Sequence, residues 1–270
     1  VPNNATLVLS GDLNLEQATI WLHPYFDEIP KGPKEITLLE KRPGLVKETQ
    51  LLYYEDTLAN VPQLTMVWPT VEAYHPDSYA LGVLSEYLTV GKSAPLNEVL
   101  VDDLKLTSYT GMYNSNSELA GEVQIYVRAF KGKKLNAIKA GIEKGFLNFE
   151  AKGISEKDLN RIKAGQETDF YRSLSSVLGK GTNLASYNIY TGNPGYVTQD
   201  IQKTLSVTTK DVMRVYNTYI KNKNYLATSF VPKNSPQLAL KGSDLANVIE
   251  EKIIIGAETN FDLKKSSTYT

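Results

Sequence analysis

Apolar positions change their spacing several times along the chain, and each change marks an element. The run Ala5-Thr6-Leu7-Val8-Leu9-Ser10 is apolar on both faces, which predicts a strand buried from both sides. Such a strand needs a covered sheet around it, so its partners are expected upstream of Val1. After Gly11-Asp12, Asn14 is placed to cap a helix whose Leu15, Ala18, Leu22, Tyr25 and Phe26 fall on one face, with Pro24 in the last turn. Ile29-Pro30-Lys31-Gly32-Pro33 and Pro43-Gly44 then punctuate a polar stretch that reads as a linker over 31–46.

A self-contained series follows. Lys47 to Tyr54 and Gln63 to Trp68 predict two strands. Pro76 suits the first turn of a helix carrying Ala80, Leu81, Leu84, Tyr87 and Leu88, with Gly91 at its C-terminal cap. Ser93-Ala94-Pro95 opens a short helix through Leu104. Thr107 to Tyr113 and Leu119 to Phe130 predict a hairpin, since Val123, Ile125, Val127 and Ala129 alternate with Gln124, Tyr126 and Arg128. Leu135, Ile138, Ile142, Phe146 and Phe149 mark a helix ending at Gly153, and Ser155 with Asp158 opens a long helical stretch towards Leu178, where Gly179-Lys180-Gly181 reads as a flexible break. Thr208 with Asp211 repeats the capping pattern ahead of Val212, Val215 and Tyr216. A last strand runs from Tyr225 to Val231.

This order predicts an α+β fold, a mainly antiparallel mixed sheet with helices packed on one face. The domain expectation is a strand and helix of a preceding domain over 1–30, the linker, an α+β domain over 47–232, and a connector over 233–270 with a weakly amphipathic segment from Leu245 to Ile255.

Composition narrows the function. With 29 Lys plus Arg against 30 Asp plus Glu there is no long-range field to attract polyanions, and nucleic acid is not an expected partner. No apolar stretch is long enough to predict a membrane span. The absence of cysteine removes thiolate nucleophiles and Cys-type zinc sites and fits either redox compartment.

The usual signatures of chemistry are weak. His23 and His75 have no second histidine or carboxylate pair at helical metal-ligand spacing, so both read as helix residues rather than ligands. Val90-Gly91-Lys92-Ser93 resembles the end of a phosphate-binding loop, but Glu86 stands where its first glycine is required. The paired carboxylates read as solvated faces or helix starts. The 17 tyrosines are more suggestive, because Tyr buries a ring while keeping its hydroxyl wet, as peptide-binding walls do.

Several segments together resemble the pitrilysin/insulinase family of zinc peptidases, the inverzincins with an H-x-x-E-H motif. The likeness is carried by Pro2-Asn3-Asn4-Ala5-Thr6-Leu7-Val8 through Gly11-Asp12, Tyr25-Phe26 with Ile29-Pro30-Lys31-Gly32-Pro33, Val61-Pro62-Gln63, Trp68-Pro69, His75-Pro76-Asp77, Gly91-Lys92-Ser93, Ser186-Tyr187, Thr191-Gly192-Asn193-Pro194 and Val207-Thr208 with Asp211-Val212. The resemblance implies that Val1 to Pro30 ends a first domain and that Lys47 to Pro232 is the second domain of one half of a two-half enzyme. Its zinc ligands and glutamate base would lie upstream, leaving this chain with no catalytic and no metal-binding residue, and zinc as a cofactor of the parent enzyme only.

The family's opposite half carries an Arg and, seven residues later, a Tyr that hold substrate. Here Tyr109 matches the second, but Asp102 occupies the Arg position, which points to the zinc-bearing half and also leaves room for a non-catalytic paralogue. The expected function is therefore a chamber wall in a zinc-dependent metallopeptidase, with Tyr109 as a substrate-binding candidate. Its expected partners are peptide or unfolded polypeptide, the upstream zinc-bearing domain and the opposite half. The alternative is a non-catalytic peptide-binding or assembly subunit.

Overall fold

One six-stranded sheet organises the chain. In the computed structural model, which describes residues 2–32 and 46–248, the strands are β1 (Gln50–Asp56), β2 (Gln63–Thr70), β3 (Thr107–Asn116), β4 (Gly121–Ala129), β5 (Leu226–Pro232) and β6 (Asp244–Leu245), in the order β3-β4-β2-β5-β1-β6. From β3 to β5 every pairing is antiparallel; β1 is parallel to both β5 and β6. The linker expected over 31–46 and the segment expected from Leu245 to Ile255 lie largely outside the described residues.

The period of two decides which face is covered. Leu64, Met66 and Trp68 on β2 pair with Val127, Ile125 and Val123 on β4, and all six are buried. Ala227, Ser229 and Val231 extend the same layer on β5. Each fully buried aliphatic side chain contributes about 1.5–3 kcal/mol, so a one-residue slip, which would turn the whole set to solvent, is strongly disfavoured.

Helices α2 (Pro76–Thr89), α4 (Leu135–Lys152) and α8 (Thr209–Tyr219) pack on this face through Leu81, Leu84, Leu88, Ile138, Ile142, Phe149, Val212, Val215 and Tyr216. Their ends follow local chemistry. His75 Nδ1 accepts the Asp77 N–H at 3.0 Å ahead of Pro76, and Gly153 takes φ +66° to close α4. Thr208 and Asp211 form a reciprocal capping box on α8, with the Thr208 N–H reaching the Asp211 carboxylate at 3.0 Å. Between α2 and β3, α3 (Pro95–Asn97) continues into a single π-helical turn, Glu98–Asp103.

Two expectations are corrected. The long helix towards Leu178 divides into α5 (Glu156–Ser173) and α6 (Val177–Thr191), because the Ser176 side chain caps a new helix by accepting the Gly179 N–H at 2.9 Å. Gly179-Lys180-Gly181 is accordingly helical and not a break. The run 5–10 pairs with no strand of the described sheet, and the partners expected for it lie upstream of Val1; here Leu7 is 56% and Leu9 47% exposed. A strand exists only by pairing, and every described strand is paired within the one sheet. Instead the Ser10 hydroxyl donates to the Val177 carbonyl (2.9 Å) and Asn188 donates to the Thr6 hydroxyl (3.3 Å), so the segment lies along α6.

The helix α1 (Leu15–Phe26) forms as predicted, with Asn14 capping it and Pro24 in its last turn. A remaining helix, α7 (Val197–Ser206), links α6 to α8. Beyond Pro232 the chain makes a 3-10 turn at Pro236–Leu238, buries Ala239 and Leu240, and returns to pair as β6 beside β1.

Candidate functional site

Tyr109 and Tyr113 stand on β3, the edge strand, and both are about half exposed, at 54% and 48%. Their hydroxyls lie 2.9 Å apart, and the Tyr113 ring crosses Gly111, where a Cβ would meet the ring at 2.8 Å. The two side chains therefore lock across a glycine on one face of the strand. Hydrogen bonding to Tyr113, followed by partial burial, pushes the Tyr109 phenol above its ordinary value, so it stays a protonated donor at neutral pH. The irregular register between Thr107 and Thr110 sits beside it; the Thr107 hydroxyl donates to the Arg128 carbonyl at 2.5 Å across the strand pair.

Asp102 does not join this pair. It is exposed on the π-helical turn, and its neighbour Asp103 accepts from Lys144 at 3.4 Å. Tyr113 and Gly111 were not singled out by sequence; the two-residue period of a strand through Tyr109 was the available signal.

The helix-free face of the sheet continues from this edge. Gln124 and Tyr126 of β4, Thr65 and Val67 of β2, Thr228 and Phe230 of β5, and Leu52 and Tyr54 of β1 all point away from the helical layer and are partly or fully exposed. Tyr54 and Phe230, neighbours in register, stack with centroids 5.7 Å apart and planes 25° from parallel. A cavity of about 600 Å³ opens at the end of this face, between Val67, Pro69, Gly121 and Glu122. The outer edge of β3 pairs with no strand among the described residues, although the N–H and carbonyl of Tyr109 both bond the Thr107 hydroxyl, at 3.2 and 2.9 Å.

The histidines stand where the sequence placed them, on helices. His23 bonds Asp27 at 2.6 Å on the exposed side of α1, and His75 spends Nδ1 on its cap. No group of three or more His, Cys, Asp or Glu side chains that could hold a metal occurs among the described residues. The described residues therefore offer no ligand set that fits a peptidase zinc ion. Among the same residues no helix is long and apolar enough to cross a membrane.

The model of the peptidase M16 inactive domain matches residues 1–166. The chain belongs to that family. Its M16 inactive-domain fold recurs in solved structures. A protease from Helicobacter pylori superposes with a TM-score of 0.73 at 21% identity, over 83% of this chain and 54% of the other. The peptidase M16 inactive domain from Pseudomonas fluorescens gives 0.68 at 16%, over 83% and 52%. The periplasmic protease PqqL from Escherichia coli gives 0.64 at 14%, over 83% and 25%. The M16 chain thus spans about half the length of the first two and a quarter of the third. None of the curated proteins matches it.

Proposed function

We propose that this inactive-domain chain forms part of the wall of a peptide-cleaving chamber in a zinc-dependent metallopeptidase, with the zinc site in another domain. The observation that carries this reading is the sheet itself. One face is sealed by α2, α4 and α8, while the other offers aromatic and β-branched side chains and ends at the free edge of β3. An extended polypeptide can add to that edge through main-chain bonds, and its alternate side chains then fall on the open face. Tyr109 stands at this edge as a donor, and no step of bond cleavage is assigned to any residue of the chain.

The test is to titrate the chain with a soluble unfolded polypeptide in the presence of zinc and follow both backbone amide shifts and the integrity of the added chain. Saturable shifts along β3 and the open face, with the polypeptide intact, are expected. Cleavage by this chain alone overturns the division of labour, and shifts confined to the helical face overturn the assigned surface. Asp102 at the family's Arg position fits the zinc-bearing half and leaves room for the alternative, a non-catalytic assembly subunit. An in-frame H-x-x-E-H upstream of Val1 in the native gene decides for the chamber wall, and a first domain without it for the subunit.

A further inference from the structure

Away from β3, five tyrosines from two distant parts of the sequence gather around one carboxylate, and two of them bond it. The Tyr79 hydroxyl donates to Asp200 Oδ1 at 2.7 Å and the Tyr187 hydroxyl to Asp200 Oδ2 at 2.8 Å. Tyr74 packs against Tyr187, Tyr190 and Tyr196, with ring centroids 5.5, 6.1 and 5.5 Å away and planes inclined by 53°, 47° and 74°. Inclined rings at these separations form walls and not a stack. Tyr74 holds its place with φ +62°, a left-handed conformation that is uncommon outside glycine. Beside these rings is a cavity of about 290 Å³, lined by Tyr74, Tyr79, Tyr190 and Asp200 with Ser78 and Ser186. That volume accommodates a side chain rather than a folded partner.

We propose that this cage binds the basic side chain, arginine or lysine, of a polypeptide held by the protein. Asp200 carries the charge argument. Each of its oxygens accepts one phenol and keeps a further acceptor position, and Asp200 makes no ion pair among the described residues. A neutral occupant would leave this anion with its two phenol bonds alone, whereas a cation adds charge pairing and also meets the ring faces. The cluster already tolerates one cation: Lys203 Nζ lies 5.2 Å from the Tyr196 centroid and 5.9 Å from that of Tyr79, a ring that lines the cavity together with Tyr74, Tyr190 and Asp200. Burial, and then Asp200, pushes the Tyr74 phenol up to about 12, so the rings stay neutral and Asp200 is the cage's own negative charge. The polypeptide part of this assignment rests on the chamber-wall reading; the cation site does not.

The test uses N-acetyl-arginine amide and its neutral isostere N-acetyl-citrulline amide, followed by ring resonances of the tyrosines. Saturable shifts of Tyr74 and Tyr190 with arginine are expected, with a Kd on the order of 1–10 mM, and binding of citrulline at least about tenfold weaker. Asp200→Asn brings arginine down to the citrulline level. Tyr190→Leu, a change at a 42% exposed ring that leaves the fold alone, weakens arginine about threefold or more. Equal response to the two ligands, shifts only elsewhere, or an unchanged affinity in both variants overturns the cage. A long unfolded polypeptide without Lys or Arg is titrated in parallel. If it fails to reach the open sheet face while arginine still fills the cage, the chamber-wall reading fails and the cation site stands; the reverse outcome removes the cation site alone.

Discussion

Arg214 Nη2 donates to Asp77 Oδ1 at 2.8 Å, and this bond fastens the start of α2 to the middle of α8. Tyr219 donates to the other oxygen of Asp77 at 2.7 Å. Burial by itself would raise the Asp77 carboxyl, but the bonds from Arg214 and Tyr219 and the attraction of Arg214 together hold it below the usual carboxylate value. Because the folded pKa is the lower one, the stabilisation is complete above the unfolded value, about 3.9, and is lost as pH falls through the folded value. Urea denaturation is expected to show Asp77→Asn with a flatter stability profile below about pH 4. Arg214→Ala is expected to cost about 1–3 kcal/mol at neutral pH, since it strands a largely buried charge with only Tyr219 beside it.

The capping box of α8 gives a second expectation. Thr208→Ala removes the acceptor of the Asp211 N–H, bonded at 3.2 Å, and is expected to cost about 0.5–2 kcal/mol. The same change takes away the Thr208 hydroxyl that most lowers the Asp211 carboxyl, so the Asp211 pKa moves up, as carboxylate chemical shifts against pH will report.

Two glycines of the hairpin should answer differently to the same added methyl group. At Gly111 the new Cβ meets the outer end of the Tyr113 ring, at 2.8 Å, and that half-exposed ring swings aside for less than about 1 kcal/mol. Tyr109 then loses its partner, and its phenol returns towards the ordinary value in a spectrophotometric titration. At Gly121 the Cβ would run into the Val71 carbonyl, which is backbone, and Gly121→Ala is expected to cost about 1–3 kcal/mol in thermal unfolding.

Tyr109→Phe separates fold from binding. The hydroxyl touches only an exposed neighbour, so stability is expected to hold within about 0.5 kcal/mol. Under the chamber-wall reading, affinity for an unfolded polypeptide falls about three- to tenfold with the loss of one charge-free donor. An unchanged affinity removes Tyr109 from the substrate contacts.

Features whose cause is local were legible in the sequence. Asn14, Pro76 and the Thr208–Asp211 pair announced helix starts because their side chains act within one turn, and Val123 to Ala129 announced a half-buried strand by strict alternation. Features decided by distant partners were not. The parallel register of β1 with β5 joins residues that no spacing rule connects. The Ser176 cap was hidden inside a helical pattern that continues on both sides of it. The tyrosine cage was invisible for the same reason, since Tyr74 and Tyr79 precede Asp200 by more than a hundred residues and meet it only through tertiary packing.

The pairing of Gln50 with Leu226 also sets an order of events during synthesis. β2, β3 and β4 can zip together as soon as Ala129 has left the ribosome, but β2 then keeps one bare flank, because its other neighbour is β5. β1, made before any of them, has nowhere to go until that neighbour arrives. Non-local closure of this kind is slow and leaves strand edges unguarded. A nascent chain halted anywhere between residues 130 and 225 is therefore in its stickiest form, with β1 and one flank of β2 both waiting for β5.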